Sequence, residues 1–185
     1  MNSYRKGFTI VELLIVIVVI AILASISVVA YNGVQDRARN AQIATAADVY
    51  KKALEMYRVD HGEYPSGQAC LGLVSDYPAK DGFAAGQCMY SSVHGVSWSV
   101  NNGINDKLLK YISRNPELPS TQTKIHDFYY RGMLYGKESG GSYIYLQYYL
   151  PGYPKECVAG FEASGSPWAP AIYTQCRRQH VVPSS

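Results

Sequence analysis

Several groups of residues in this chain have types and spacings that could do chemistry, and four cysteines, Cys70, Cys88, Cys157 and Cys176, are the first of them. Thiols so placed could ligate a metal or pair as disulfides. No C-x-x-C occurs and the four histidines are scattered, so the spacing matches no zinc pattern. Disulfides account for it better. Of the three connectivities that four cysteines allow, the one with the shortest loops joins Cys70 to Cys88 and Cys157 to Cys176. Each closure contributes roughly 3 kcal/mol in the loop-entropy model, and such bridges place the folded body outside the cytoplasm. Asp60-His61 has the groups of an acid–base dyad, but adjacent residues at a helix end serve capping and solvation. Asn101 to Asp106 sets oxygen ligands beside Gly103, without the spacing of a helix-loop-helix calcium loop, and reads as a turn. There is no Gly-x-Ser-x-Gly elbow, phosphate loop or H-E-x-x-H motif. No catalytic, cofactor-binding or metal-ligating residues are therefore predicted, and the chain is expected to be no enzyme.

Glu12 signals something else. It stands in KGFTIVELL, Lys6 to Leu14, at the start of an apolar run, and from Leu13 to Ala30 there is no charge, proline or glycine; Ser25 and Ser27 are the only polar interruptions. A helix over Phe8 to Tyr31, rising about 1.5 Å per residue, reaches roughly 36 Å and can cross a bilayer. Arg5 and Lys6 precede it, which keeps the N-terminus cytoplasmic and sends the rest across. A carboxylate at membrane depth is costly without a partner. A secretory signal peptide or a plain single-pass anchor explains the apolar length and leaves Glu12 without a purpose.

The elements that position these groups follow from periodicity. Ile43, Ala47, Tyr50, Leu54 and Tyr57 recur at intervals of four and three, so residues 32–61 form the amphipathic continuation of the same helix. Gly62 stops it and Pro65 confirms the stop. A short helix is predicted over Asn105 to Ser113, ahead of two prolines in NPELP. Asp127 to Tyr135 and Ser142 to Leu150 read as strands joined by the turn GKESGG. On the second, Ile144, Leu146, Tyr148 and Leu150 face the helix and Tyr143, Tyr145 and Tyr149 face outward. Arg131, sharing a strand face with Tyr129, Met133 and Tyr135, is a candidate binding surface with those tyrosines. From Pro151 the prolines and glycines predict an irregular loop. The fold class is α+β: a long N-terminal helix packed on a small antiparallel sheet, with a disulfide-closed C-terminal loop.

Net charge is +3 over 185 residues, and Arg5 and Lys6 supply two of the positives. Such balance argues against nucleic acid as the main ligand, since phosphate binding needs a concentrated basic surface. Arg177-Arg178 is the basic pair a DNA-receptor reading would use.

The stretch KGFTIVE resembles the processing site of type IV pilins and related prepilin-like proteins. The resemblance implies a leader, residues 1–7, cut by a prepilin peptidase between Gly7 and Phe8, with Phe8 then N-methylated. It implies that Glu12 pairs with the amino terminus of a neighbouring subunit during assembly. Residues 8–31 become the membrane and assembly half of the helix, and residues 32–185 the extracytoplasmic head. The implied partners are copies of the chain itself, the peptidase, an inner-membrane assembly platform and, before assembly, the membrane. The implied function is that of a filament subunit at the cell surface, supporting adhesion, motility or DNA uptake; a minor pilin, a type II secretion pseudopilin or a DNA receptor for transformation are the alternatives. Past Tyr31 the likeness is architectural, including Gly62-Glu63-Tyr64-Pro65. Many members carry proline where Val29 stands here and glycine where Ala21 stands.

Overall fold

A computed structural model describes residues 7, 9–119, 122–137, 143–152, 155–164 and 173–181. Helix α1, Ile10–His61, is one continuous element whose residues fall into two compact units, Met1–Arg39 and Asn40–Ser185.

In the second unit, the helix buries Ile43, Ala46, Ala47, Tyr50, Ala53, Leu54 and Tyr57. These are the five residues of the predicted apolar stripe with two alanines between them, small enough to let the helix approach the sheet. At its end Gly62 takes φ +78° and its amide donates to the Arg58 carbonyl at 2.8 Å, the left-handed closure that glycine permits. Asp60 and His61 serve this terminus. His61 stacks on Tyr57 with centroids 4.0 Å apart, and Asp60 accepts from the Tyr111 hydroxyl at 2.8 Å.

Among the described residues, nine strands build two antiparallel sheets: β1 Gly67–Leu71, β2 Gln87–Ser91, β3 Val96–Ser99, β4 Thr123–Ile125, β5 Phe128–Tyr130, β6 Met133–Lys137, β7 Tyr143–Pro151, β8 Glu162–Ser164 and β9 Tyr173–Val181. The first sheet runs β1-β6-β7-β9-β8 and the second β3-β2-β5-β4. Ile144, Leu146, Tyr148, Leu150, Thr174 and Cys176 are buried, and Leu54 meets Ile144 and Leu146 across a small crevice. The opposite face of β7 meets the second sheet through Trp98 against Tyr145, centroids 6.1 Å apart, and Tyr130 against Tyr149 at 4.3 Å. A helix α2, Asn102–Leu109, packs beside β1.

Several expectations are corrected. The segment between Pro65 and Asn101, rich in Gly, Ser and Cys and expected to be a plain connection, holds β1, β2 and β3, strands too short and polar for a period-two signal. Helix α2 starts at Asn102, ahead of the predicted Asn105, so the Asn101–Asp106 segment is largely helical instead of a turn. Asn105 drives this: its side chain is buried, accepts from the Gly72 amide at 3.0 Å and donates to the carbonyls of Cys70 and Asn101 at 3.0 and 3.1 Å. Asp127 to Tyr135 is two strands in different sheets. The break is at Arg131-Gly132, where Gly132 has φ +63° and an added Cβ would lie 2.5 Å from Tyr77 atoms. The turn GKESGG lies mostly outside the described residues. The predicted C-terminal loop contains β8 and β9, and β9 sits inside the first sheet. Its sequence, YTQCRRQHV, alternates no apolar residues, so nothing in it reads as an internal strand.

The cysteines form Cys70–Cys88 and Cys157–Cys176 bridges. The first joins β1 to β2 and so ties the two sheets together; the second ties the segment before β8 to β9.

Tyrosines carry much of the core. Tyr50, Tyr64, Tyr77, Tyr135 and Tyr148 are all fully buried. Burial pushes every one of these phenols up, Tyr64 to about 12 with the Glu55 carboxylate adding to the effect. A raised folded pKa stabilises the fold fully below the unfolded value near 10 and ceases to do so as pH rises through the folded value. The head is therefore expected to lose stability above about pH 10 and to release its buried tyrosines together on unfolding. An alkaline titration following tyrosinate absorbance and far-ultraviolet circular dichroism checks this; separate, gradual ionisation without unfolding would contradict it.

Candidate functional site

The first unit carries the segment on which a function can be built. Ile10–Ser27 has mean hydropathy 3.0, and every one of its residues is exposed. In water such an apolar surface would be prohibitive, so it has to meet lipid or other apolar helices. The two serines do not spoil it: Ser25 Oγ donates to the Ile22 carbonyl and Ser27 Oγ to the Leu23 carbonyl, each at 2.7 Å, so neither hydroxyl needs water. Polar side chains resume beyond this span. Gln35 Nε2 donates to the Tyr31 hydroxyl at 2.6 Å, and Arg39 pairs with Asp36 at 3.5 Å. An aromatic residue followed by a charged surface is what the edge of a bilayer accommodates.

The helix opens on a reciprocal cap. Glu12 Oε2 accepts from both the Thr9 amide and the Thr9 hydroxyl at 2.8 Å, while the Glu12 amide donates to Thr9 Oγ1 at 3.2 Å. The Thr9 carbonyl accepts from the Leu13 amide at 3.3 Å, which makes Thr9 the N-cap and Glu12 the third helical residue of a capping box. Glu12 thus has a partner within its own chain. Sequence reading passed over Thr9, although threonine three residues before a glutamate at the head of an apolar run is the signature of this motif. Thr9→Val is expected to make amides at the helix start exchange severalfold faster in micelles, as measured by hydrogen exchange; unchanged protection would deny the cap its role. Gly7 is exposed with open space around it, while Phe8 lies outside the described residues.

The head's candidate surface is placed differently from expectation. Arg131 is 4% exposed. Its guanidinium donates to the carbonyls of Gln87 and Pro78 at 2.8 Å and of Ala84 at 3.3 Å, and lies 4.2 Å from the Phe83 ring centroid. It binds the chain's own backbone and offers nothing to a partner. Tyr143, Tyr145 and Tyr149 are half-buried. Arg177 and Arg178 lie on β9 and so point to opposite faces. Arg177 lies over Tyr145, 5.0 Å from its centroid, and Arg178 pairs with Glu55 at 2.9 Å. Glu55 also accepts from the Tyr64 hydroxyl at 3.0 Å and from Arg58 at 3.2 Å, joining the helix, the Gly62–Pro65 step and β9. Among the described residues there is no cluster of His, Cys, Asp and Glu able to hold a metal.

Comparison with known proteins bears on the N-terminal segment first. Residues 2–28 match the family model of the prokaryotic N-terminal methylation motif. A fimbrial protein of Neisseria meningitidis serogroup A is 34% identical over 112 residues, 59% of this chain and 66% of that protein. The type IV major pilin protein PilE1 of Neisseria gonorrhoeae is 36% identical over 75 residues, 40% of this chain and 46% of that protein. The chain belongs to the type IV pilin family. The type IV wide pilus major component PilA4 of Thermus thermophilus is 41% identical over 66 residues, 36% of this pilin and 50% of that protein. The pilin chain therefore spans two thirds or less of the length of these relatives. No solved structure matches it. For a pilin, the capped apolar helix and the disulfide-bridged α+β head described above are the parts that matter.

Proposed function

We propose that this pilin is a non-enzymatic structural subunit of a type IV pilus-like surface filament. The observation that carries the reading is the apolar helical surface Ile10–Ser27, exposed throughout and headed by the Thr9–Glu12 cap. A prepilin peptidase removes residues 1–7 by cutting between Gly7 and Phe8, and Phe8 is N-methylated. The segment 8–31 holds the subunit in the membrane with its leader on the cytoplasmic side. An assembly platform then extracts it, and like segments of other subunits replace lipid around it. Glu12 exchanges its local Thr9 contacts for the new amino terminus of a neighbour, which fixes register and removes an uncompensated charge from an apolar environment. Residues 32–185 form the head outside the cytoplasm, where the bridges are stable.

The names of the relatives support a major subunit over a minor pilin or a pseudopilin. The DNA-receptor reading loses its phosphate pair, since Arg178 is engaged by Glu55 and Arg177 faces the other way. The test is intact mass and N-terminal sequencing of protein sheared from the cell surface. A chain beginning at methylated Phe8 with four oxidised cysteines is the expected result. An intact leader, or a cut near Ser25 to Ser27, would overturn the reading.

A further inference from the structure

Both bridges join cysteines that are neighbours in the sequence, 18 and 19 residues apart, and the two loops neither overlap nor nest. The folded head then seals them: Cys70, Cys88 and Cys176 are 0% exposed, and only Cys157 is partly accessible. A wrongly paired sulfur could not be corrected once β1, β2 and β9 had packed, so pairing has to be right at first closure. Chain geometry favours that. The next alternative, Cys88 with Cys157, is nearly four times as far along the chain as either native pair, an entropic disadvantage of roughly sevenfold if effective concentration falls as the −3/2 power of loop length.

We propose that the reduced chain is the substrate of a sequential thiol oxidation in which the first cysteine to emerge pairs with the second and the third with the fourth, so that maturation requires a dithiol oxidase and no disulfide isomerase. In each step one cysteine thiolate attacks the oxidase's disulfide, forming a mixed disulfide and releasing one oxidase thiol. The neighbouring cysteine's thiolate then attacks the chain sulfur of that mixed disulfide, closes the intrachain bridge and releases the second oxidase thiol. The chain dithiol loses two electrons and two protons, and the oxidase disulfide gains them. In the closed product the Cys88 amide donates to Cys70 Sγ at 3.0 Å, a contact that forms only with the native partner and helps to hold it.

The experiment uses the full-length chain in detergent micelles, reduced and unfolded, then oxidised by a purified thioredoxin-like dithiol oxidase, with and without a purified disulfide isomerase. Samples are quenched by alkylation and the bridged peptides mapped by mass spectrometry. Random pairing gives about one third native connectivity. The expected native share without isomerase is well above that, and isomerase raises it less than about twofold. A native share that isomerase raises twofold or more overturns the proposal. A C157S/C176S double variant supplies the second reading, because closure of the first pair on an unpacked chain should not depend on the second. Its Cys70–Cys88 bridge should form at a rate within about twofold of the unsubstituted chain, and a greater slowing overturns the proposal as well.

Discussion

Replacing Glu12 with alanine is expected to leave the pilin in the membrane fraction, in amounts equal to or above those of the unsubstituted chain, while lowering its recovery in sheared filaments by roughly tenfold or more. The two effects have opposite signs for one reason. Removing a carboxylate from an apolar span eases partition into lipid, but it also removes the group proposed to meet a neighbour's amino terminus. Glu12→Gln separates the local cap seen in the structure from the proposed pairing with a neighbouring subunit. Glutamine can complete a capping box with Thr9, yet it carries no charge. If charge sets register, the glutamine variant should assemble as poorly as alanine; if the cap alone matters, it should assemble normally. Quantitative immunoblots of sheared and membrane fractions read both. A normal filament yield from Glu12→Ala would remove the assembly role from this residue altogether.

The second large effect concerns stability. Arg131→Ala takes away a buried guanidinium and its hydrogen bonds to the carbonyls of Pro78, Ala84 and Gln87, of which the Ala84 carbonyl keeps the Gln87 amide at 3.2 Å. Hydrogen bonds to charged groups contribute about 1.5–3 kcal/mol each, and leaving a buried acceptor without a partner costs about 1–3 kcal/mol. Against a total of about 5–15 kcal/mol for an ordinary domain, that is enough to unfold a large fraction of the heads at growth temperature. Denaturant unfolding of the full chain in micelles should show the midpoint fall with little change in slope. Arg131→Lys should recover only part of the loss, because an ammonium cannot aim planar donors at three separate carbonyls. A loss below about 1 kcal/mol in the alanine variant would show that the segment from Pro78 to Gln87 and the β5–β6 crossing do not depend on this side chain.

What could be read in the sequence divides along physical lines. The long helix was legible because its signals are local and repeated: an uninterrupted apolar run, then a stripe at Ile43, Ala47, Tyr50, Leu54 and Tyr57, all now buried. The likeness of residues 2–28 to the N-terminal methylation motif was legible because Gly7, Phe8 and Glu12 are compactly spaced in sequence, although Thr9 within the same stretch was overlooked. Strand β7 showed itself through alternation at Ile144, Leu146, Tyr148 and Leu150. Strand β9 did not, because one of its faces is Thr174, Cys176 and Arg178 and the other Gln175 and Arg177; polar partners in three dimensions, such as Glu55 for Arg178, replace the apolar contacts that a pattern search looks for. Arg131 was misread for a related reason. An arginine beside tyrosines suggests a surface, and only the fold reveals that Gly132 turns the chain between two sheets and buries the guanidinium among backbone carbonyls.

The strand order has one further consequence. The nine-residue strands β7 and β9 are interior to their sheet, whereas all four sheet margins are formed by short strands: β1 with five residues, β8 with three, β3 with four and β4 with three. Lys124 stands in the middle of β4 and Glu162 at the start of β8, both exposed. Short, charged margins are poor templates for strand addition by another molecule. A head of this design can be crowded against copies of itself without fusing through its sheets into amyloid-like aggregates, which suits the proposed assembly through the apolar helices.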